Sequence, residues 1–178
     1  MPTYHRAPMS NALPDFVDPW RMAQARRGFA GSIALRQFSR LAGMLASTDG
    51  ELNYRVDFGR DESGVTYLDV HADADLVLTC QRTLQAFALP VRIDQRLGLI
   101  REEAQEAALP EGYEPLLVAD GKASIRDVIE DEMILALPLV ALSPGAPLEQ
   151  VALGESKVGS EVSASPFAVL GSLGKLNH

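Results

Sequence analysis

The sequence predicts an α+β fold: an antiparallel β-meander or a partly closed barrel, packed with helices on one face and followed by a flexible C-terminal tail. Three stretches between residues 51 and 100 alternate between apolar and polar side chains and are separated by short turns. This alternation is typical of antiparallel strands with one covered face. Shorter stretches with apolar residues at helical spacing come before and after this region.

A short helix, a strand and a second helix are predicted before the sheet. Asp18 can cap the first helix, and Pro19 suits its first position, where no N–H donor is needed. This helix should end near Gly28. The segment "FAGSIAL", residues 29–35, alternates and predicts a strand, whereas "QFSRLAGMLAS", residues 37–47, has the spacing of an amphipathic helix.

Each of the three long predicted strands has one apolar row. In the first strand the row is Leu52, Tyr54, Val56 and Phe58. In the second it is Leu68, Val70, Ala72, Ala74, Leu76, Leu78 and Cys80, and the opposite row is Asp69, His71, Asp73 and Asp75. In the third it is Phe87, Leu89, Val91 and Ile93. Pro90 interrupts this third strand and predicts an edge position or a bulge, because proline cannot donate to the ladder.

The stretch "SIRDVIEDEMILALPLVAL", residues 124–142, predicts a helix with a hydrated acidic side. A Ser-x-x-Asp pattern at its start is typical of a helix cap. Helical spacing places Glu130 and Asp131 largely away from the apolar stripe, and it places Glu132 on that stripe.

Glu132 is therefore the acid that the pattern predicts to be buried. One interpretation is a desolvated carboxyl group with a raised pKa, which is the kind of group that catalysis uses. The other is a backbone cap or a buried ion pair with an arginine of the sheet, such as Arg55 or Arg92, since buried charges are normally paired.

Composition divides the chain into a body and a tail. Residues 1–142 are predicted to form a single α+β domain with a basic N-terminal helical arm. Residues 143–165 are rich in Ser, Gly, Ala and Pro and predict a flexible linker. Residues 166–178 predict a C-terminal helix that either docks on another protein or folds back on its own sheet. Its apolar residues recur at Phe167, Leu170 and Leu173.

Charge is distributed unevenly along the chain. Residues 1–47 contain six Arg and two Asp, a net charge of +4, whereas residues 48–178 contain ten basic and 22 acidic residues, a net charge of −12. This asymmetry favours a partner of mixed charge over naked nucleic acid.

Two sets of charged residues are candidate contact sites. Arginine suits bidentate contacts to phosphate, although intramolecular pairing with the acidic body is an equal alternative. The candidates for contact with RNA or a ribonucleoprotein are Arg21, Arg26, Arg27, Arg36 and Arg40. An acidic face could dock a basic partner or could simply be hydrated. Its members are Asp69, Asp73, Asp75, Glu130 and Asp131.

The sequence lacks the residues that several other functional classes require. The sequence shows no signal peptide and no apolar run approaching the ~20 residues that cross a bilayer, so we expect a cytoplasmic protein without a membrane partner. Cys80 is the single cysteine and excludes an intrachain disulfide. We find no phosphate-binding loop, nucleophile–base arrangement or metal-ligand spacing. We therefore expect no catalytic residues, cofactor, bound metal or small-molecule substrate.

Several segments together resemble the bacterial YceD family of large ribosomal RNA subunit accumulation proteins. They are "VDPWRMAQARRGFAG" (17–31), "LTCQRTL" (78–84), "ALPEGYEP" (108–115), "IEDEMILALPLV" (129–140) and "SPFAVLGSLGK" (165–175). The resemblance implies a cytosolic factor needed for normal accumulation of 23S rRNA. Relatives usually have two cysteines around two residues where this chain has Cys80 and Thr83. A zinc site needs about four N or S ligands, so any such site in relatives is not carried over here.

Three functional hypotheses follow. The leading one is a non-enzymatic ribosome-biogenesis factor that contacts pre-rRNA or a large-subunit assembly intermediate, and that can also contact a basic ribosomal protein or a processing enzyme. The second is a metal-assisted rRNA-processing enzyme that uses Asp69, Asp73, Asp75 or Glu132. The third is a chaperone for a basic ribosomal protein.

Overall fold

A computed structural model describes residues 9–10 and 13–144. Its sheet has six strands in chain order, and the two outer pairs, β1–β2 and β5–β6, are parallel. The strands are β1 (Met9–Ser10), β2 (Gly28–Ala34), β3 (Glu51–Arg60), β4 (Thr66–Thr79), β5 (Ala86–Ile100) and β6 (Glu114–Leu117). Strands β3 to β5 form the predicted antiparallel meander, and β2 extends it on one side. Because β1 and β6 lie at opposite ends of the order, the sheet is open, and the barrel alternative was wrong.

Helices cover one face of this sheet. They are α1 (Pro19–Gln24), α2 (Ser39–Ala42) and α3 (Ile125–Leu135). Two 3-10 helices lie in the connections, at Leu35–Gln37 and Glu103–Ala108. Helix α1 packs on β3 and β4, α3 packs on β4 and β5, and α2 packs on α3. The α+β prediction is thereby confirmed.

The core forms where the apolar rows of the strands meet the helices. All seven even-numbered residues of the predicted row from Leu68 to Cys80 are buried, as are Leu52 and Val56 of β3. From the helical side, Phe38 and Met133 are fully buried in the same cluster. Because side chains alternate along a strand, the acidic row of β4 points to the opposite, solvent-facing side.

Pro90 lies where the edge prediction requires it. It pairs with Asp75 of β4, but β6 joins the other side of β5 only from Leu97 onward. Residues 86–96 of β5 are therefore an edge among the described residues, and a missing N–H donor on that side interrupts no ladder.

Helix α1 begins as predicted and ends four residues before Gly28. The Asp18 side chain accepts a hydrogen bond from Arg21 N at 3.1 Å. At the other end, Arg26 N donates to Ala23 O and Arg27 N donates to Met22 O, both at 3.0 Å. These two bonds form a Schellman motif, which closes a helix by satisfying its last carbonyl groups.

Two units of the chain are distinct, residues 1–146 and residues 147–178. The second unit, most of the predicted linker, and the predicted docking residues Phe167, Leu170 and Leu173 lie outside the described residues. Within the described residues, no helix combines the length and apolar composition that crossing a bilayer requires.

Candidate functional site

Three of the five candidate arginines lie in α1 or directly after it, and a fourth lies in the 3-10 helix that follows β2. Their side chains are exposed, and in the described part of the chain none of the ion pairs involves them. They are Arg21, Arg26, Arg27 and Arg36. Intramolecular pairing of these four arginines is therefore not observed among the described residues, and their role as contact residues stays a prediction.

Arg40 behaves differently from the other candidate arginines. Its guanidinium group donates to the Glu130 carboxylate, from Nε at 3.3 Å and from Nη2 at 3.2 Å, and its Nη1 contacts Asp131. The hydrogen bond to Asp131, together with Glu130, raises the pKa of Arg40. The prediction that Arg40 is a free contact residue was therefore wrong, because its charge is already paired within the chain.

Glu130, the partner of Arg40, is an acid whose burial the helical spacing predicted wrongly. Only 4% of the residue is exposed, although the pattern put it on the hydrated side of α3. Its Oε1 accepts hydrogen bonds from the backbone N–H groups of Arg40 at 2.7 Å and Leu41 at 3.0 Å. The physical reason is that α2 packs on a second side of α3, so the carboxylate satisfies donors at the start of α2 that have no partner within that helix.

Glu132 is buried, as its position on the apolar stripe predicted. The residue is 9% exposed, and its pKa is raised chiefly by desolvation, with smaller contributions from the charges of Glu114 and Asp131. It lines a cavity of about 180 Å³ together with Gln95 and Glu114.

The predicted ion pair of Glu132 with Arg55 or Arg92 was wrong. Arg55 Nε instead donates to Asp57 at 2.7 Å, and Arg92 lies beside Asp73 at another cavity, on the solvent-facing side of the sheet. Both arginines belong to the row opposite the one that α3 covers, so neither can reach the helix.

Replacing Glu132 with Gln is expected to raise the free energy of unfolding at pH 7 by about 1 kcal/mol, because a neutral amide replaces a buried carboxylate that forms no ion pair with the described residues. A raised folded-state pKa means that the wild-type side chain is most favourable when protonated. The stability that the protonated Glu132 side chain contributes is complete below its pKa in the unfolded chain, about 4.3. This stability is lost as pH rises through the higher pKa of the folded state.

The gain from Glu132→Gln should therefore shrink between pH 7 and pH 4 in urea unfolding experiments. Glu111→Gln, a change of an exposed acid, is the control and should show little difference at either pH. A gain that is the same at both pH values would contradict a raised pKa for Glu132.

The predicted acidic face is divided in the structure. Asp73 and Asp75 are exposed and line a cavity of about 420 Å³ together with Glu51 and Arg92. Asp131, on the helix-covered side of the sheet, is bound to Arg40. The acids of β4 and those of α3 therefore belong to opposite sides of the sheet, and the prediction of one acidic surface was wrong.

Asp69 belongs to a polar and aromatic cluster that sequence patterns did not indicate. Its two carboxylate oxygens accept hydrogen bonds from Arg96 Nε at 2.7 Å and Nη2 at 2.8 Å. The Arg96 guanidinium carbon also lies 4.5 Å from the ring centre of Tyr67 and 5.8 Å from that of Tyr113. This hydrogen-bonded pair raises the pKa of Arg96 and shows that Asp69 is held as an ion-pair partner.

Cys80 is completely buried, as expected for the last residue of an apolar row. Thr83 hydrogen-bonds the thiol, and Ser143 donates to the sulfur from its N at 3.4 Å and its Oγ at 3.5 Å. These hydrogen bonds, first of all that of the Thr83 side chain, lower the pKa of Cys80 to about 5, against the opposing effect of burial.

Within the described ranges, no three His, Cys, Asp or Glu side chains come together as metal ligands.

A groove beside α1 is a further feature that sequence patterns did not reveal. It has a volume of about 530 Å³, and Phe16, Met22, Phe29, Arg21 and Arg27 are among the residues that line it. Phe16 is 66% exposed. Because Phe16 lies outside every periodic element, no sequence pattern predicted that it would lie beside two of the candidate arginines.

Comparison with known proteins assigns the chain to a family. The family model described as "Large ribosomal RNA subunit accumulation protein YceD" matches residues 68–174. The protein of that name from Haemophilus influenzae is 30% identical over 167 residues, which cover 90% of this chain and 95% of that protein. No solved structure matches the chain. The chain belongs to the YceD family, as the resemblance of its sequence segments had predicted.

Proposed function

We propose that the protein is a non-enzymatic ribosome-biogenesis factor that is required for the synthesis, processing or accumulation of 23S rRNA. The observation that carries this proposal is membership of the YceD family, whose matching relative is named for accumulation of the large ribosomal RNA subunit. Its partner is pre-rRNA or a large-subunit assembly intermediate.

Four arginines that form no ion pair with the described residues, three at α1 and one after β2, are the proposed contact residues for this partner. Arg21, Arg26, Arg27 and Arg36 are exposed, and guanidinium groups bind phosphate oxygens by bidentate hydrogen bonds. The net charge of the whole chain is −8, which opposes RNA binding over most of the surface. Contact with RNA is therefore confined to this basic patch.

The backbone conformation of Arg26 supports a role for its side chain. Arg26 has φ of 46°, in the left-handed region where the Schellman position is usually glycine. A residue other than glycine pays roughly 1–2 kcal/mol for this conformation. An arginine at this position therefore lowers the stability of the fold. We infer that it is kept for the function of its exposed guanidinium group.

Arg26→Gly tests this proposal without weakening the fold. Relief of the left-handed strain is partly offset by the greater freedom of glycine in the unfolded chain, so the free energy of unfolding should be unchanged or should rise by up to about 1 kcal/mol. In cells that lack the native gene, the wild-type protein should restore the 23S rRNA level, and Arg26→Gly combined with Arg27→Gln should restore it only partly.

Arg92→Gln is the matched control, since Arg92 is exposed on the other side of the sheet. It should restore 23S rRNA as well as the wild-type protein does. The measurement is the ratio of 23S to 16S rRNA, with precursor ends mapped by primer extension. A 23S rRNA level that does not change when the gene is removed would contradict the proposed function.

A second candidate function, a chaperone for a basic ribosomal protein, is favoured by the cavity on the opposite side of the sheet. Glu51, Asp73 and Asp75 line this cavity of about 420 Å³, and the two aspartates are exposed. Salt-sensitive binding of proteins extracted from large subunits, lost in Asp73→Asn/Asp75→Asn and kept in Arg26→Gly, is the result that this candidate predicts.

A further inference from the structure

The groove beside α1 is lined by an exposed aromatic ring and by two arginine side chains. Phe16 is 66% exposed, and among the large hydrophobic residues exposed in residues 13–144 it is the aromatic one. It lines the groove together with Val17, Met22 and Phe29, so a flat apolar group entering the groove would contact one exposed ring and a buried apolar floor.

Charge on the rim of the groove favours an anion. Arg21 and Arg27 both line it and form no ion pair with the described residues. Asp18 is the acid at the groove, and its carboxylate accepts the hydrogen bond that caps α1, from Arg21 N at 3.1 Å. With two arginines and one aspartate, the charged residues that line the groove have a net positive charge, and they surround an apolar floor.

The neighbouring tryptophan is less accessible than Phe16. The guanidinium carbon of Arg101 lies 4.2 Å from the centre of the Trp20 ring, and this cation–π contact already covers one of its faces. Among the described residues no cation lies over the Phe16 ring, which makes it the available stacking surface in this part of the molecule.

We propose that this groove binds an unpaired base of single-stranded RNA, which stacks on Phe16 while Arg21 and Arg27 hold the flanking phosphates. The inference rests on the proposed function for its choice of RNA as the partner, and it adds that the RNA is single-stranded. Single-stranded RNA is recognised by stacking bases on aromatic side chains beside cationic groups, whereas the bases of a duplex are already stacked and paired.

Fluorescence anisotropy of the full chain with a labelled 12-nucleotide oligoadenylate tests the stacking contact. Phe16→Ala is expected to weaken binding about 5- to 150-fold, which corresponds to the loss of one base–aromatic stack. Phe16→Tyr should keep nearly wild-type affinity, because its ring is the same size. Leu84→Ala removes another exposed apolar side chain outside the groove and should not change the affinity.

Two nucleic-acid controls separate stacking from charge. A 12-base-pair RNA duplex and an abasic oligonucleotide of the same length carry phosphates but offer no free base. Both should bind more weakly than the oligoadenylate, and Phe16→Ala should not weaken them further. Equal affinity of Phe16→Ala and wild-type protein for the oligoadenylate would overturn the proposal, as would equal binding of the abasic strand.

Failure of this proposal is distinguishable from failure of the proposed function. If wild-type protein co-sediments with large-subunit precursors but no oligonucleotide binds, the groove proposal is wrong and a protein segment becomes the candidate occupant. If the protein does not co-sediment with these precursors and 23S rRNA is normal without it, the proposed function is wrong even where oligoadenylate binds.

Discussion

Replacing Glu130 with Ala is expected to lower the free energy of unfolding by about 3 kcal/mol, because it removes a buried charge-assisted acceptor and leaves its donors unpaired. The Glu130 carboxylate receives the backbone N–H groups of Arg40 and Leu41, at 2.7 and 3.0 Å, as well as the Arg40 guanidinium group. Leu41 is fully buried, so water cannot replace the lost acceptor at its N–H group without opening the core.

The neighbouring acid provides a matched control for this change. Asp131 binds the same arginine, but its side chain is 54% exposed and accepts no hydrogen bond from a backbone N–H group of the described residues. Asp131→Ala should therefore cost less than about 1 kcal/mol, as exposed ion pairs do. Glu130→Gln, which keeps an acceptor oxygen but loses the charge, should fall between the two.

Urea unfolding at pH 7, followed by circular dichroism, measures all three variants. The midpoint should shift most for Glu130→Ala, with an unchanged slope if the unfolded state is unaffected. If Glu130→Ala and Asp131→Ala lowered the free energy of unfolding equally, the hydrogen bonds from α2 to Glu130 would add no more stability than a surface ion pair.

Charge reversal at Arg21 and Arg27 should reduce affinity for a precursor 23S rRNA fragment by about 100-fold at 100 mM salt, because two phosphate contacts are replaced by two repulsive charges. Each lost contact also removes a released counterion. The slope of log affinity against log salt should therefore become shallower by about 2.

The control for Arg21→Glu/Arg27→Glu is Arg60→Glu/Arg92→Glu, which changes the net charge by the same amount. Arg60 and Arg92 are exposed residues of β3 and β5. Filter binding across a salt series should give the control pair nearly wild-type affinity and slope. If the two double variants lose affinity equally, RNA responds to the total charge of the protein and not to the surface around α1.

Local patterns were sufficient to predict strands β2 to β5 and the starts of α1 and α3, but not the parallel outer strands β1 and β6. Burial of every second residue along β3 and β4 follows from the alternation of strand side chains, and the caps at Asp18 and Ser124 follow from their hydroxyl or carboxylate oxygens next to free N–H groups. The same reasoning correctly placed Glu132 on the buried stripe of α3.

Contacts between distant segments could not be predicted in this way. Helical spacing describes a helix with one packed side, but α3 packs on both the sheet and α2, which buries Glu130 and joins it to Arg40 across 90 positions of sequence. The pairing of Asp69 with Arg96 depends on the register between β4 and β5, and no single-strand pattern contains that register.

Ultraviolet crosslinking in cells, followed by mass spectrometry of nucleotide-linked peptides, tests most directly whether this protein meets precursor rRNA through the surface around α1. We predict crosslinks between large-subunit rRNA and peptides within residues 14–36, including the peptide that contains Phe16. Crosslinks confined to the strands around Asp73 and Arg92, or a protein that carries no large-subunit rRNA, would contradict this account.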